Sequence, residues 1–84
     1  MTSTDTLTTR LNGDDRTWPA GTTYRDVVEH VTGRDIDDAG RPVTGRGLAV
    51  ALAVDGAVLP RSAWATTPVT DGARIELVDA VQGG

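Results

Sequence analysis

The chain ends Val81-Gln82-Gly83-Gly84, and Gly83 and Gly84 are the residues best suited to chemistry. A C-terminal carboxyl has an ordinary pKa of roughly 3.5, so the Gly84 carboxylate is ionised at neutral pH. An ionised carboxylate is a poor electrophile; it becomes an acyl donor only with an activated leaving group such as AMP. Glycine suits such an end for two reasons. Without Cβ the backbone threads a narrow channel, and the terminal carbonyl stays open to attack. Residues 81–84, if extended, reach about 13–14 Å, enough to enter a partner's active site. Taken alone, a terminal Gly pair reads more readily as a frayed end.

Other candidates for chemistry are few. There is no Cys, which excludes disulfides, thiolate zinc sites and a Cys nucleophile. His30 is the only His, which argues against a protein-only transition-metal site. It reads as a solvated residue on a helix flank rather than a base. Asp35, Asp37 and Asp38 lack the spacing and terminal Glu of a calcium loop. They read as a solvated charged loop, and no metal site or bound cofactor is expected. Arg61 either holds acidic groups of a partner or is a solvated strand end.

Composition narrows the class. The chain has 84 residues, which argues for one small domain over 1–84. Hydrophobic residues are 38% and Phe is absent, so the core is modest. Net charge is −4 with a pI near 4.6, and all eight basic residues are Arg. With no basic cluster, a nucleic-acid surface is not expected. Residues 1–5 are polar, carry no signal-peptide pattern and read as a disordered start. The longest apolar run, 48–54, is too short to span a bilayer. A cytoplasmic, soluble protein with no membrane partner is expected.

These residues must be positioned by short elements. Residues 6–11 read as a strand, Asn12-Gly13 as a tight primed turn and 16–19 as the returning strand, anchored by Trp18. Thr23 caps a helix, with Asp26 at the third position of a capping box. Tyr24, Val27, Val28 and Val31 share one helical face, and Gly33 closes the helix. Residues 33–47 have no periodicity and read as a loop, long for so small a domain. Residues 48–54 alternate, with Leu48, Val50, Leu52 and Val54 toward the core and Ala49, Ala51 and Ala53 away from it. Asp55-Gly56 is a second hairpin turn, 57–59 a short strand and 62–65 one helical turn. After Asp71-Gly72, residues 74–79 form the last strand, with Ile75 and Leu77 inward and Glu76 and Val78 outward. Residues 80–84 form a flexible tail. Strand, strand, helix, long connection, strand, strand and strand is an α+β order, with one main helix across a mixed sheet of four to five strands. It matches the β-grasp, or ubiquitin-like, arrangement, in which the first and last strands lie side by side mid-sheet.

The alanine face, with Val78 and Ala80, is either a flat docking patch or a small neutral solvent face. Trp18 and Trp64 are either interface anchors or, the favoured reading, the fillers of a core without Phe. The absence of Lys leaves only the N-terminal amine as an acceptor for an activated tail on the same chain. That is compatible with a carrier, and a codon bias replacing Lys by Arg accounts for it equally well.

Four stretches carry a family likeness. They are Val54-Asp55-Gly56, then Val58-Leu59-Pro60-Arg61-Ser62-Ala63-Trp64-Ala65, then Asp71-Gly72-Ala73-Arg74-Ile75-Glu76-Leu77-Val78, and finally Ala80-Val81-Gln82-Gly83-Gly84. Together they resemble the thiamine-biosynthesis sulfur carrier family, β-grasp proteins ending in Gly-Gly. The helix opening Ala20-Gly21-Thr22-Thr23 is similar as well. The likeness is tight over 48–84 and loose over 7–31. It implies a carrier rather than an enzyme. A ubiquitin-activating-like enzyme, using ATP, would adenylate the Gly84 carboxylate. A cysteine desulfurase relay would supply sulfur to form a thiocarboxylate, and the thiazole synthase would accept it. Gly83 and Gly84 would be the working terminus. Ala49, Ala51, Ala53, Arg61, Val78, Ala80, Val81 and Gln82 would be docking positions. Three departures stand out: Asp55 in place of the more frequent Asn, Ala73 in place of a common Asp, and a longer 33–47 loop, tolerable because loop length costs little free energy. Two other readings are weighed. One keeps the chemistry and changes the acceptor: a molybdopterin-synthase small subunit, for which a Pro-rich approach to Gly-Gly is expected and absent, or a carrier for a specialised metabolite. The other is a non-catalytic β-grasp interaction module with an inert tail.

Overall fold

The computed structural model of the chain describes residues 6–79. The expected start 1–5 and tail 80–84 lie outside the described residues. Strand β1 (Thr6–Leu11) turns at Asn12-Gly13 into β2 (Asp14–Pro19). Both turn residues have positive φ, 50° and 89°, as a type I′ turn requires. The returning strand starts two residues earlier than the sequence suggests, because this turn closes directly into the ladder, with Leu11 opposite Asp14.

Helix α1 (Tyr24–Thr32) begins at the expected capping box. The Thr23 side chain accepts from the Asp26 N–H, and the Asp26 carboxylate accepts from the Thr23 N–H at 2.9 Å. Gly33 ends it at φ 72°. Two free amides of the first turn find partners far along the chain: Tyr24 N–H donates to Thr67 C=O at 3.1 Å and Arg25 N–H to Trp64 C=O at 3.0 Å. The helix is thereby tied to the segment that includes the short 3-10 turn η1 (Arg61–Ala63).

Strands β3 (Val50–Val54), β4 (Ala57–Leu59) and β5 (Arg74–Asp79) complete a five-stranded sheet of order β2-β1-β5-β3-β4. β1 and β5 pair in parallel at its centre, and the other pairs are antiparallel. Leu48 and Ala49 precede β3 rather than opening it. The Leu48 carbonyl accepts from the Arg61 guanidinium instead of a strand partner.

One face of the sheet packs on α1. Tyr24, Val27 and Val28 from the helix meet Leu11, Trp18, Leu52, Ile75 and Leu77 from the strands, with Trp64, Val69 and Ala73 filling between. Both Trp residues are core residues. The Trp18 indole N–H donates to the buried Thr9 hydroxyl at 2.9 Å, and that of Trp64 donates to Leu59 C=O at 3.0 Å. Buried indoles need such partners. Val31, expected on the buried face, is instead 42% exposed, because it lies in the last helical turn and faces an open cavity that it shares with Leu48, Val50 and Leu77. Ile36 supplies the missing apolar volume from the long loop and is 3% exposed.

That loop is built rather than featureless. Ile36 bridges Pro42. The Glu29 carboxylate accepts from Ile36 N–H at 2.8 Å. Asp37 accepts from the N–H groups of Ala39 and Arg41, both at 2.9 Å. The backbone donor of Arg41, aided by that of Ala39 and by the Arg41 charge, holds the Asp37 carboxyl below its ordinary value. Asp38 pairs with Arg25 at 2.6 Å. Such motifs are set by polar contacts, which leave no hydrophobic period.

Candidate functional site

The candidate site is the central strand β5 and the open sheet face around it, because β5 leads directly to the residues on which the chemistry would fall. Gly83, Gly84, Ala80, Val81 and Gln82 lie outside the described residues. What is described is the platform they follow.

β5 is gripped on both sides. Arg10 N–H donates to Ala73 C=O and Asn12 N–H to Ile75 C=O, both at 2.9 Å, in the parallel ladder. Past the end of β1, the Asn12 side chain continues that ladder. Its Oδ1 accepts from Leu77 N–H at 2.9 Å and its Nδ2 donates to Leu77 C=O at 3.1 Å. On the β3 side, Asp55 N–H donates to Arg74 C=O at 2.7 Å while its Oδ1 accepts from Arg74 N–H at 2.9 Å. Asp71 performs the related task for β1, accepting from Thr8 N–H at 2.8 Å. The sequence marks Asn12 and Asp55 as turn residues only. Positive φ values of 50° and 52° turn their side chains back toward β5, a second role that the Asn-Gly and Asp-Gly signals do not advertise. The departure from Asn at position 55 keeps the acceptor half of such a clamp.

The open face collects several of the expected docking residues. Ala51 stands opposite Val78 in register, and Ala53 is flanked by Glu76 and Val58. Val58 is 76% exposed and Val78 57%, so an apolar strip crosses three strands. Val58 joins this strip through the β3–β4 register, which sets it opposite Ala53. Ala49 is exposed just ahead of β3. An Arg10–Asp15 pair at 3.6 Å lies toward the β2 edge, too exposed to add much stability.

Arg61 is committed differently from either sequence alternative. Its guanidinium donates to the carbonyls of Gly40, at 2.8 Å, and of Leu48 and Val50, and sits 5.1 Å from the Trp64 ring centroid. It clamps the long loop to β3, with a cation–π contact beneath. His30 lies against Trp18 edge-on, ring centroids 5.4 Å apart. Among the described residues no three His, Asp or Glu side chains gather to hold a metal ion. Nor is any described helix long and apolar enough to cross a membrane. At the tail end of β5, Val31, Thr32, Arg34, Leu48, Val50 and Leu77 line a cavity of about 280 Å³.

Among the described residues, a five-stranded mixed sheet under one main helix, with β5 at its centre, defines a ubiquitin-like β-grasp protein. The comparisons make this specific. The model of the ThiS family matches residues 9–84, so the chain belongs to the ThiS family, the small sulfur carriers of thiamine biosynthesis. The crystal structure of a thiamine biosynthesis protein (ThiS) from Geobacter metallireducens superposes with a TM-score of 0.59 at 22% identity, covering 93% of this chain and 100% of that one. No curated protein matches the chain.

Proposed function

We propose that this protein carries sulfur as a thiocarboxylate on Gly84, for transfer into the thiazole ring of thiamine. One observation carries the reading: the family match runs over residues 9–84, through Gly83-Gly84, on a chain whose central strand leads to them. In the first step a Gly84 carboxylate oxygen attacks the α-phosphorus of ATP on a ubiquitin-activating-like enzyme, and pyrophosphate leaves. In the second, sulfur delivered by a cysteine desulfurase relay attacks the acyl carbon. That sulfur arrives as the outer atom of a cysteine persulfide. The carbon–sulfur bond forms and the carbon–oxygen bond to AMP breaks. A second thiol of the relay then cleaves the sulfur–sulfur bond, becoming part of a disulfide and leaving the thiocarboxylate. The thiazole synthase then takes the sulfur. The carrier supplies the handle and the docking face, and its partners supply the catalysis.

Exposed Ala51 and Val78, with half-buried Ala53 next to Glu76 and Val58, support docking because they leave apolar surface on the open face. The rigid grip on β5 supports presentation, since a fixed root shortens the search of the terminus for a partner's active site.

Intact mass after incubation with ATP, the adenylating enzyme and a sulfur source tests the reading. Exchange of one oxygen for one sulfur, abolished by deleting Gly84, is the expected result. An unchanged mass with an enzyme active on its own carrier would overturn it in favour of an interaction module.

A further inference from the structure

The chain is acidic overall, yet four of its eight Arg residues gather at the long loop: Arg34, Arg41, Arg46 and Arg61. They divide into two pairs. Arg34 donates to the carbonyls of Thr44 and Arg46 at 2.9 and 2.6 Å, and Arg61 to those of Gly40, Leu48 and Val50. These two guanidinium groups are occupied by backbone and give the loop its shape. Arg41 and Arg46 are exposed, and neither side chain makes a hydrogen bond or ion pair among the described residues. Together with Pro42, Gly45, Gly47, Leu48 and Arg61 they line a recess of about 350 Å³.

None of the loop's acidic residues, Asp35, Asp37 and Asp38, lines this recess. Asp37 is turned onto the amides of Ala39 and Arg41, and Asp38 onto Arg25. The recess is therefore cationic at its rim, with Pro42 and Leu48 as apolar wall. It also lies beside the root of the tail. Leu48 leads into β3, whose first residue, Val50, pairs with Asp79, the last residue of β5.

We infer that this recess is a docking surface for an acidic segment, an apolar residue next to one or more carboxylates, on the protein that receives the tail. The inference rests on the carrier reading above. Any partner that takes hold of residues 80–84 comes alongside the end of the sheet that the recess occupies. Exposed guanidinium groups add little to equilibrium affinity one by one, but they steer encounter and fix orientation, and salt weakens them.

The test compares two charge reversals of equal size. One is Arg46→Glu, with Arg41→Glu repeating the loop arm; the control is Arg16→Glu on edge strand β2, at the far side of the sheet and away from the open face around β5. Carrier-dependent ATP–pyrophosphate exchange is measured with the adenylating enzyme at low and high salt. Each loop variant is expected to raise KM for the carrier roughly tenfold at low salt, with kcat unchanged, and the gap should close at high salt. Equal behaviour of the loop and control variants overturns the inference while leaving the carrier reading intact. Absence of exchange with the unaltered protein sinks the carrier reading instead. In that case a titration with a short Glu- and Leu-containing peptide decides the recess. Saturable amide shifts confined to residues 41–48 uphold an acidic-peptide site, and no shifts overturn it. Tighter saturation by inorganic phosphate than by the peptide also overturns it, in favour of a small-anion site.

Discussion

The side-chain amide of Asn12 holds Leu77 by both backbone groups, accepting from its N–H and donating to its C=O across 65 residues of sequence. An amide side chain thereby stands in for the strand residue that β1 lacks at this point. Asn12→Gly isolates the effect, because glycine keeps the positive φ of the turn while removing both bonds. A loss of about 1–2 kcal/mol is expected in urea unfolding, since the Leu77 groups are partly buried. Amide exchange at Leu77 should quicken more than at Ile75, which the β1 backbone still holds. Equal protection at Leu77 in both proteins would show that the clamp adds nothing to the strand.

Gly40 and Gly33 offer a matched pair. Both have positive φ, 83° and 72°. A Cβ at Gly33 meets nothing within 4 Å, whereas one at Gly40 runs into Arg61, its carbonyl oxygen 2.7 Å away and its Cβ nearer still. Gly33→Ala should therefore cost only the left-handed backbone term of about 1 kcal/mol. Gly40→Ala adds a clash that only movement of the loop or of Arg61 relieves, and overpacking adds a further cost of about 1–3 kcal/mol. Equal midpoints for the two variants in thermal unfolding would mean that the loop yields freely and is not clamped.

The contrast between these elements explains what the sequence discloses. The central strands, the capping box and both type I′ turns are legible because each rests on a local signal: alternation, a Thr–x–x–Asp spacing, an Asn-Gly or Asp-Gly pair. Ile36 is not, since a lone apolar residue among Asp35, Asp37 and Asp38 has no period. It enters the core only because Glu29 and Asp37 fold the backbone around it. Arg61 is missed for a related reason. Its partners are carbonyls of residues 40, 48 and 50, and backbone carbonyls leave no trace in residue type. Of the candidate site, Ala51, Ala53 and Val78 are legible from strand parity, while Val58 joins them only through the β3–β4 register.

Tyr24 links the core to alkaline pH. Burial is the main cause that raises its hydroxyl above the ordinary 10.0; the Asp55 charge adds to this, and a backbone hydrogen bond at Thr70 opposes it. A raised native value means that the folded protein holds the proton more tightly than the unfolded chain. The associated stability is complete below the unfolded value and is lost as pH rises from there through the native one. Unfolding free energy should thus decline above about pH 10, the ordinary tyrosine value. Tyr24→Phe should flatten that decline, since Tyr24 is the only Tyr. A slope that survives the substitution would assign the alkaline loss to other groups.

Val78 tests the open face without disturbing the core. It is 57% exposed, stands opposite Ala51 and follows Leu77, whose side chain points to the opposite side of the sheet. Val78→Arg places a charge in the apolar strip, where solvent can still hydrate it. Stability should stay within about 0.5 kcal/mol of the unaltered protein, as for exposed substitutions in general. If Ala51, Ala53 and Val78 dock the partner, the charge must be desolvated on association, and KM for the carrier in the adenylation assay should rise with little change in kcat. Unlike the reversals at Arg41 and Arg46, this penalty should persist at high salt, because it arises from lost apolar contact and desolvation rather than from screened attraction. A variant that keeps its fold and is loaded as readily as the unaltered protein would remove the open face from the interface and leave the loop recess as the surface to pursue.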